Sequence, residues 1–331
     1  MSYFDYRPPH RAVFITIEFF CLLCYSFFEN KGGIMRAIQF TTDARVGSVI
    51  KLGLFSDTHA DSPNFDKATF EEHANYCLND NRYILFDGDI FDGIIRTDKK
   101  RAVNSLLESG DNQLNIKLEK VYELLKPYQK QILFFGRGNH EESILKYNGI
   151  DILDLLAKML NSGSNHNIVV GNYANFIRFG WTNKSNKMVA NYDIFAHHGA
   201  GGSAPATKGM LDFNSLVKGV NADLIWIGHK HNSIIDYSAP IMFVDAAGNV
   251  VLKNRQCIQT PSYQTGRTID YNVNFAERFY GHTALSGFGE VNLRLEKEHN
   301  KYTVMPEIKI TNRPNITIGE LQSATLKQKS R

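Results

Sequence analysis

Aspartate, asparagine and histidine residues recur in this sequence directly after runs of apolar residues. In chain order, the groups that could bind a metal are Asp57 with His59, Asp89, Asn139 with His140, His197 with His198, and His229 with His231. Each group alone is more typical of a polar loop than of a ligand set. Together, each at the end of an apolar run, they indicate one polar site at the ends of several strands.

The types of these side chains indicate what the site would hold. Mixed carboxylate, imidazole and amide ligands suit a pair of divalent transition metals, whereas all-oxygen sets favour calcium or magnesium and thiolates favour structural zinc. A carboxylate with two oxygens, such as Asp89, can bridge ions about 3.5 to 4 Å apart. Two such ions neutralise charge on a phosphoryl oxygen and lower the pKa of a bound water, so that hydroxide is available at about pH 7.

Alternating strands and helices must position these groups. The run Val49 to Phe55 predicts a buried strand, and Phe65 to Leu78 has the spacing of an amphipathic helix. A second strand from Tyr83 to Phe86, a helix that stops near Pro127 and a third strand in QILFF follow. In open α/β sheets ligands bind beyond the carboxyl ends of the strands, so this pattern predicts that the polar groups converge there.

The second half of the chain is richer in strands. A helix from about Ile150 to Leu160 is followed by three runs that predict strands, namely IVVGNYANFIRFG, KMVANYDIFAHHGAGG and ADLIWIGHKHN. The segment Ile241 to Asn254 predicts a hairpin that turns at Ala247 to Asn249.

Five motifs in this order resemble those of the calcineurin-like metallophosphoesterases, whose pattern is D-x-H, G-D-x-x-D, G-N-H-E, H and G-H-x-H. This sequence reads DTH at 57–59, GDIFD at 88–92, GNHE at 138–141, HHG at 197–199 and GHKH at 228–231. The resemblance covers about Val49 to Asn232. It implies the α/β fold of that family, a four-layer α-β-β-α sandwich of two mixed sheets. The layout is most similar to that of calcineurin-like phosphoesterases from phages and prophages.

The resemblance also implies how the ligands divide between two metals. One metal would be held by Asp57, His59, Asp89 and His231. The other would be held by Asp89, Asn139, His229 and one histidine of the HHG motif. His198 is the preferred ligand from that motif because it directly precedes glycine, and His197 is the alternative.

Three further residues would take part in the reaction. His140 is similar to the family's proton donor to the leaving oxygen, and Asp92 to the carboxylate that orients it, although Asp92 could instead be a turn or N-cap aspartate. Arg137 extends the motif to RGNHE, as in the Ser/Thr protein phosphatases, where a basic group near the site can meet phosphate oxygens. Gly93 stands where those phosphatases have arginine, so protein phosphatase activity is not expected.

The leading functional hypothesis is hydrolysis of phosphate esters by a metal-bound hydroxide, as a phosphodiesterase or a phosphatase. Manganese is the preferred metal, with iron and zinc as alternatives. A nuclease similar to the double-strand-break repair nucleases, with nucleic acid as its partner, is the chief alternative, and a scaffold that lost catalysis is the second. The net charge of +3 is too small to indicate a concentrated basic face that would bind nucleic acid. Tyr263, Tyr271 and Tyr280 are candidates for the substrate side.

The composition fits one globular domain with additions, since 43% of the 331 residues are hydrophobic and 21% are charged. We expect an apolar leader at 1–34, a catalytic domain at 35–310 and a polar tail at 311–331. The run Ala12 to Phe28 resembles a signal or anchor, but Glu18 interrupts it and it is shorter than the roughly 20 residues of a membrane span. Met35 offers a second start.

We expect a cytoplasmic location, with export or anchoring through residues 12–28 as the alternative. No stable membrane association is expected unless the leader is retained. Cys21 and Cys24 form a single C-x-x-C inside this apolar run, which favours reduced, packed thiols over a zinc site.

Overall fold

The structure, a computed structural model, describes residues 37–93, 113–163, 167–201, 210–245, 247–264 and 285–312. Several sequence-based predictions lie outside these ranges. They are the leader at 1–34, nearly all of the tail, Cys21, Cys24, Tyr271 and Tyr280.

Two mixed β-sheets form the centre of the molecule. Within the described residues the strands are β1 (Ile38–Asp43), β2 (Val49–Phe55), β3 (Tyr83–Asp87), β4 (Ile132–Gly136), β5 (Val169–Val170), β6 (Ala174–Thr182), β7 (Met188–His197), β8 (Leu224–Ile227), β9 (Ile234–Val244), β10 (Val250–Gln259), β11 (Gly287–Glu298) and β12 (Lys301–Asn312). Sheet A has the order β1-β6-β7-β8-β10-β9, and sheet B has the order β12-β11-β2-β3-β4-β5. Strands β2, β3 and β4 are mutually parallel, and so are β7 and β8.

Helices cover the outer faces of both sheets. They are α1 (Lys67–Asn79), α2 (Gln113–Leu125), α3 (Asn139–Asn148), α4 (Ile152–Asn161) and α5 (Met210–Gly219), and a short 3-10 helix, Lys126–Tyr128, follows α2. Helices α1, α2 and α4 pack against sheet B through Phe70, Val121 and Leu156. Helix α5 packs against sheet A, where Phe213 contacts the cluster of Ile225. The layers therefore run α-β-β-α, which confirms the predicted fold.

Strand β3 shows why the central strands read as unbroken apolar runs. Ile84 and Phe86 point to the helices, whereas Leu85 points into the layer between the sheets. Both faces of the strand are buried, so neither face selects polar residues. Polar residues begin only where the strand ends, which is where the polar motifs lie.

The helices begin where aspartate side chains cap them. The Asp66 carboxylate accepts the Thr69 N–H at 3.3 Å, and the Asp151 carboxylate accepts the Asp154 N–H at 3.2 Å. These caps satisfy N–H groups that have no partner within the helix. They explain why α1 and α4 begin two residues later than the apolar periodicity predicts.

The remaining predicted elements agree with the structure in kind. Strand β2 has the predicted bounds, and β9 and β10 form the predicted hairpin, with its turn between Val244 and Val250. Elements that the sequence did not predict are β1, α3, α5, β11 and β12. Among the described residues, no helix is long and apolar enough to cross a membrane.

Candidate metal centre

The polar motifs meet at one edge of the two sheets. Asp57, Asp89 and Asn139 follow the parallel strands β2, β3 and β4 of sheet B. His198 follows β7 of sheet A, and the GHKH motif follows β8, which is parallel to β7. Because parallel strands present their carboxyl ends at the same edge, five loops converge there.

The backbone of these loops is unusual. Of the nine non-glycine residues with positive φ in the described ranges, five belong to the motifs. They are Asp57 (φ 50°), His59 (43°), Asp89 (48°), His229 (65°) and His231 (54°). This region is unfavourable for side chains other than glycine, at about 1–3 kcal/mol for each residue, and such strain clusters at functional sites.

One group of ligand atoms comes from the DTH and GHKH motifs. One atom each from Asp57, His59 and His231 lies within 4.8 Å of the others. The Nε2 atom of His231 is 3.4 Å from Oδ1 of Asp57. The other oxygen of Asp57 accepts the N–H of His229 at 2.8 Å, so the carboxylate is held with one oxygen toward the group.

A second group lies on the other side of Asp89. It joins Asp89 with His198 and His229, again within 4.8 Å, and Nε2 of His198 is 3.1 Å from Oδ2 of Asp89. The same Asp89 oxygen is 4.0 Å from Nε2 of His59 in the first group. Asp89 therefore stands between the two groups with one oxygen facing both.

Buried ligand atoms without partners test whether these residues fit metal ions. Some buried ligand atoms make no contact of hydrogen-bond geometry among the described residues, although His198 and Asp57 have charged neighbours. They are Oδ1 of Asp57, both ring nitrogens of His59, Oδ1 of Asn139, Nε2 of His198 and Nδ1 of His229. Buried polar atoms almost always have a partner, and each one without costs about 1–3 kcal/mol. Oxygen and imidazole nitrogen are the donors that divalent transition metals take, so the residues fit such ions.

The structure separates the two histidines of the HHG motif. His198 is fully buried and its Nδ1 lies 2.8 Å from the carbonyl oxygen of Asp87, which turns Nε2 toward Asp89. The ring of His197 is turned elsewhere, since its Nδ1 accepts the N–H of Gly199 at 2.9 Å. Only His198 enters a group of ligand atoms among the described residues.

His140 lies beside the first group of ligand atoms and, with His59 and Asp92, offers a further set of atoms within 4.8 Å of one another. Its Nδ1 donates to the carbonyl oxygen of Asp92 at 2.6 Å, and the Asp92 carboxylate is 3.5 Å from the same nitrogen. That carboxylate is also 3.4 Å from Nδ1 of His59. Asp92 thus contacts His140 mainly through its backbone carbonyl, whereas the sequence suggested that the contact would be made by its side chain.

Arg137 directly precedes the GNHE motif but belongs to neither group of ligand atoms. Its Nη2 forms an ion pair with Asp151 at 2.8 Å, at the start of α4. Its Nη1 is buried and has no hydrogen-bond partner among the described residues. The guanidinium is therefore held at one end only.

Two buried carboxylates that sequence reasoning did not single out hold the loops. Glu141 accepts the N–H groups of Asp89, Phe91 and Gly138 at 3.0, 2.9 and 2.9 Å. Asp61 accepts the N–H groups of the Asp92–Gly93 turn and pairs with Lys117. Glu141 belongs to the GNHE motif, so the sequence contained a signal that this residue lies at the site. Nothing in the spacing pointed to Asp61.

Two glycines leave room for the ligands. A Cβ on Gly138 would lie 2.2 Å from Oδ1 of Asp89, and one on Gly88 would lie 2.4 Å from Nδ1 of His198. Such distances are far inside van der Waals contact. Glycine at both positions is therefore required by the ligand on the neighbouring loop.

The prediction that Tyr263 lies on the substrate side is wrong. The residue is fully buried in the core beneath α1, and its hydroxyl lies 2.9 Å from Nδ1 of His73. Its ring stacks on Phe55 at a centroid distance of 5.8 Å. Sequence alone could not separate a core tyrosine from an exposed one.

The protonation of the metal-free centre follows from its mixed charges. Burial lowers the pKa of His59, but the facing carboxylates of Asp92, Asp89 and Asp57 outweigh this and raise it to about 9. Burial likewise lowers the pKa of His198, and the charge of Asp89 raises it well above its ordinary value. Both imidazoles hold protons where a metal would otherwise neutralise the carboxylates.

A family model described as calcineurin-like phosphoesterase matches residues 50–233, more than half of the chain. The protein therefore belongs to the calcineurin-like phosphoesterase family, a divalent-metal-dependent family of phosphoesterases. The match begins in β2 and ends just after the GHKH motif, so it spans every residue of both groups of ligand atoms.

Comparison with other proteins adds little to this assignment. No curated protein matches the sequence. Vacuolar Protein Sorting 29 from Cryptosporidium parvum is similar at 12% identity and a TM-score of 0.35, over 80% of this chain and 99% of that one. GAP50, the anchor in the inner membrane complex of Plasmodium, is similar at 10% identity and a TM-score of 0.36, over 84% and 94% of the respective chains.

Proposed function

We propose that this protein hydrolyses phosphate esters with two divalent metal ions bound at the candidate metal centre. The observation that carries the proposal is the convergence of buried ligand atoms, without partners in the described residues, on either side of Asp89. When bound, the two ions neutralise charge on the phosphoryl group and activate a water for attack. The substrate is a phosphate ester.

The two groups of ligand atoms support a division of the ligands. The first ion is assigned to Asp57, His59, Asp89 and His231. The second is assigned to Asp89, Asn139, His198 and His229. Asp89 serves both because its Oδ2 faces His59 on one side and His198 on the other. Manganese is the preferred ion, and iron and zinc are alternatives because the same donor set serves all three.

His140 is assigned as the general acid. Since its Nδ1 donates to the Asp92 carbonyl, the proton available to a substrate is the one on Nε2, which lies 3.8 Å from Oδ2 of Asp89. Burial lowers the pKa of His140, and the charges of Asp89 and Asp92 oppose that effect. Because burial disfavours the charged ring, the imidazolium form of His140 gives up its proton more readily to a developing alkoxide.

Arg137 is assigned to a phosphate oxygen of the substrate. Asp151 holds Nη2, which fixes the direction of the guanidinium, and the buried Nη1 keeps an N–H for an anionic ligand. An arginine held at one end by a carboxylate is well suited to bind a second oxyanion at the other end.

Hydrolysis of two model esters by the manganese-loaded protein tests the proposal. We expect cleavage of p-nitrophenyl phosphate or bis-p-nitrophenyl phosphate that stops with a chelator and returns with metal. Asp89→Asn should abolish it. Asp223→Asn, the same change at a carboxylate that accepts the Asp193 N–H beyond the opposite end of β8, should not.

The outcomes separate the alternatives. Preference for the diester, together with cleavage of DNA, would favour the nuclease, and preference for the monoester would favour a phosphatase. If elemental analysis finds both sites filled and neither ester is cleaved, the proposed hydrolysis is wrong.

A further inference from the structure

We propose that Asp61, paired with Lys117, is a positioning residue that holds His140 in place through a single peptide group. The proposal rests on the assignment of His140 as the general acid. It concerns a residue that belongs to none of the five motifs and to neither group of ligand atoms.

Asp61 lies in the loop after β2, and its side chain is fully buried. One carboxylate oxygen accepts the N–H of Asp92. The other accepts the N–H of Gly93 at 3.1 Å and the Nζ of Lys117 at 2.9 Å. The carboxylate therefore binds two successive N–H groups of the turn that carries Asp92.

The peptide group between Asp92 and Gly93 joins Asp61 to His140. Its N–H donates to Asp61, and its carbonyl oxygen accepts Nδ1–H of His140 at 2.6 Å. In a trans peptide the N–H and the C=O lie in one plane and point in opposite directions, so the two side chains lie at opposite edges of one rigid group. Fixing the N–H therefore fixes the acceptor for His140.

The negative charge of Asp61 adds to this geometry. A hydrogen bond from a peptide N–H to a carboxylate is stronger than one to a neutral acceptor. It also polarises the peptide, which strengthens the carbonyl oxygen as an acceptor for the imidazole. The result fixes His140 in the tautomer with a proton on Nδ1 and directs Nε2 toward the metal centre.

Lys117 makes the buried charge tolerable. Its side chain is 13% exposed and it reaches Asp61 from α2. The neighbouring Lys120 donates to the backbone carbonyl of Asp61 at 3.4 Å. A buried carboxylate without a counter-ion is strongly destabilising, so the pair belongs together.

The discriminating variant is Asp61→Asn, assayed with a pair of esters that differ in leaving group. A misplaced general acid slows phenyl phosphate, whose poor leaving group needs a proton, and spares 2,4-dinitrophenyl phosphate, whose leaving group does not. We expect kcat for the phenyl ester to fall about 10- to 100-fold with little change for the dinitrophenyl ester. KM and metal content should stay as in the wild type.

A second measurement needs neither metal nor activity. In the metal-free protein the Nδ1 proton of His140 is hydrogen bonded, so its NMR resonance should lie downfield and exchange slowly. Asp61→Asn should move that resonance upfield or broaden it. Asp223→Asn is the matched control, because Asp223 also accepts a backbone N–H and pairs with a lysine, Lys253 at 2.6 Å. It should change neither the resonance nor either rate.

The results separate failure of this proposal from failure of the proposed function. Equal losses on both esters, or an unchanged His140 resonance, would overturn the role of Asp61. A wild-type protein that binds both metals and cleaves neither ester would contradict the hydrolase, while the resonance would still report on Asp61. If Asp61→Asn does not fold, the double variant Asp61→Asn/Lys117→Gln removes the unpaired lysine and carries the same expectations.

Discussion

The Oδ2 atom of Asp89 lies 3.1 Å from the Nε2 atom of His198, and these two residues come from different sheets. Asp89 follows β3 of sheet B, and His198 follows β7 of sheet A. The same oxygen is 3.8 Å from His140 and 4.0 Å from His59. One carboxylate oxygen thus faces three imidazoles, and the centre depends on how the two sheets are packed.

Replacing His140 with alanine should leave the metal in place and slow the reaction. The ring contacts the centre without being assigned as a ligand, so elemental analysis should find the wild-type metal content. We expect kcat to fall about 10²- to 10⁴-fold, the usual contribution of a general acid. Loss of metal in this variant would contradict the role given to His140.

Metal binding at about pH 7 should release protons. His59 has a pKa of about 9 in the metal-free protein, and that of His198 is raised well above its ordinary value. Both must lose a proton to bind metal, so affinity should keep rising with pH at least to about pH 9, the pKa of His59. Calorimetry in buffers of different ionisation enthalpy should show about two protons released for each protein molecule filled with metal. Metal uptake without proton release would mean that these imidazoles are already neutral.

Adding one methyl group at Gly138 should damage the centre. Its Cβ would lie 2.2 Å from Oδ1 of Asp89, so either the GNHE loop or the Asp89 carboxylate must move. We expect Gly138→Ala to weaken metal binding at least 10-fold, measured by competition with a chelator. Gly219→Ala is the control, because a Cβ there meets no atom within 4 Å. Wild-type affinity in the Gly138 variant would show that the loop is less rigid than the structure implies.

Asp87 should make the metal-free protein less stable as pH rises. Burial raises the pKa of this carboxyl from 3.8 to about 8. Between these values the folded protein holds a proton that the unfolded chain has lost, so the free energy of unfolding falls with pH by at most about 1.4 kcal/mol for each pH unit. Asp87→Asn cannot ionise, so its advantage in melting temperature over the wild type should grow from about pH 4 to pH 8 and then stay constant. Parallel melting curves across that range would refute the shift.

The sequence was most informative where burial is complete. Strands between two covered faces are largely apolar, and Val49–Phe55, in which Lys51 is the one charged residue, was predicted with its exact bounds. Helix α3 was not predicted because its first turn is the polar GNHE motif. Its acidic first turn and the left-handed Gly149 at its end were usable signals. Strands β11 and β12 have one partly exposed face, so their apolar pattern is weaker.

The candidate ligands could be predicted from their residue types, but the residues that hold their loops in place could not. Carboxylates and imidazoles at five strand ends identified the candidate ligands, since those types have few roles together. The functions of Asp61 and Glu141 depend on which N–H groups of another loop lie within reach, and a linear pattern contains no such information. The choice between His197 and His198 likewise required the direction of each ring.

The left-handed backbone at five of the motif residues has a consequence for protein engineering. Glycine would be more stable at those positions, because it lacks the Cβ whose steric penalty aspartate and histidine suffer there. A redesign guided by thermal stability would therefore select against Asp57, His59, Asp89, His229 and His231. It would raise the melting temperature while deleting the donors of the candidate centre, which is the usual conflict between stability and activity.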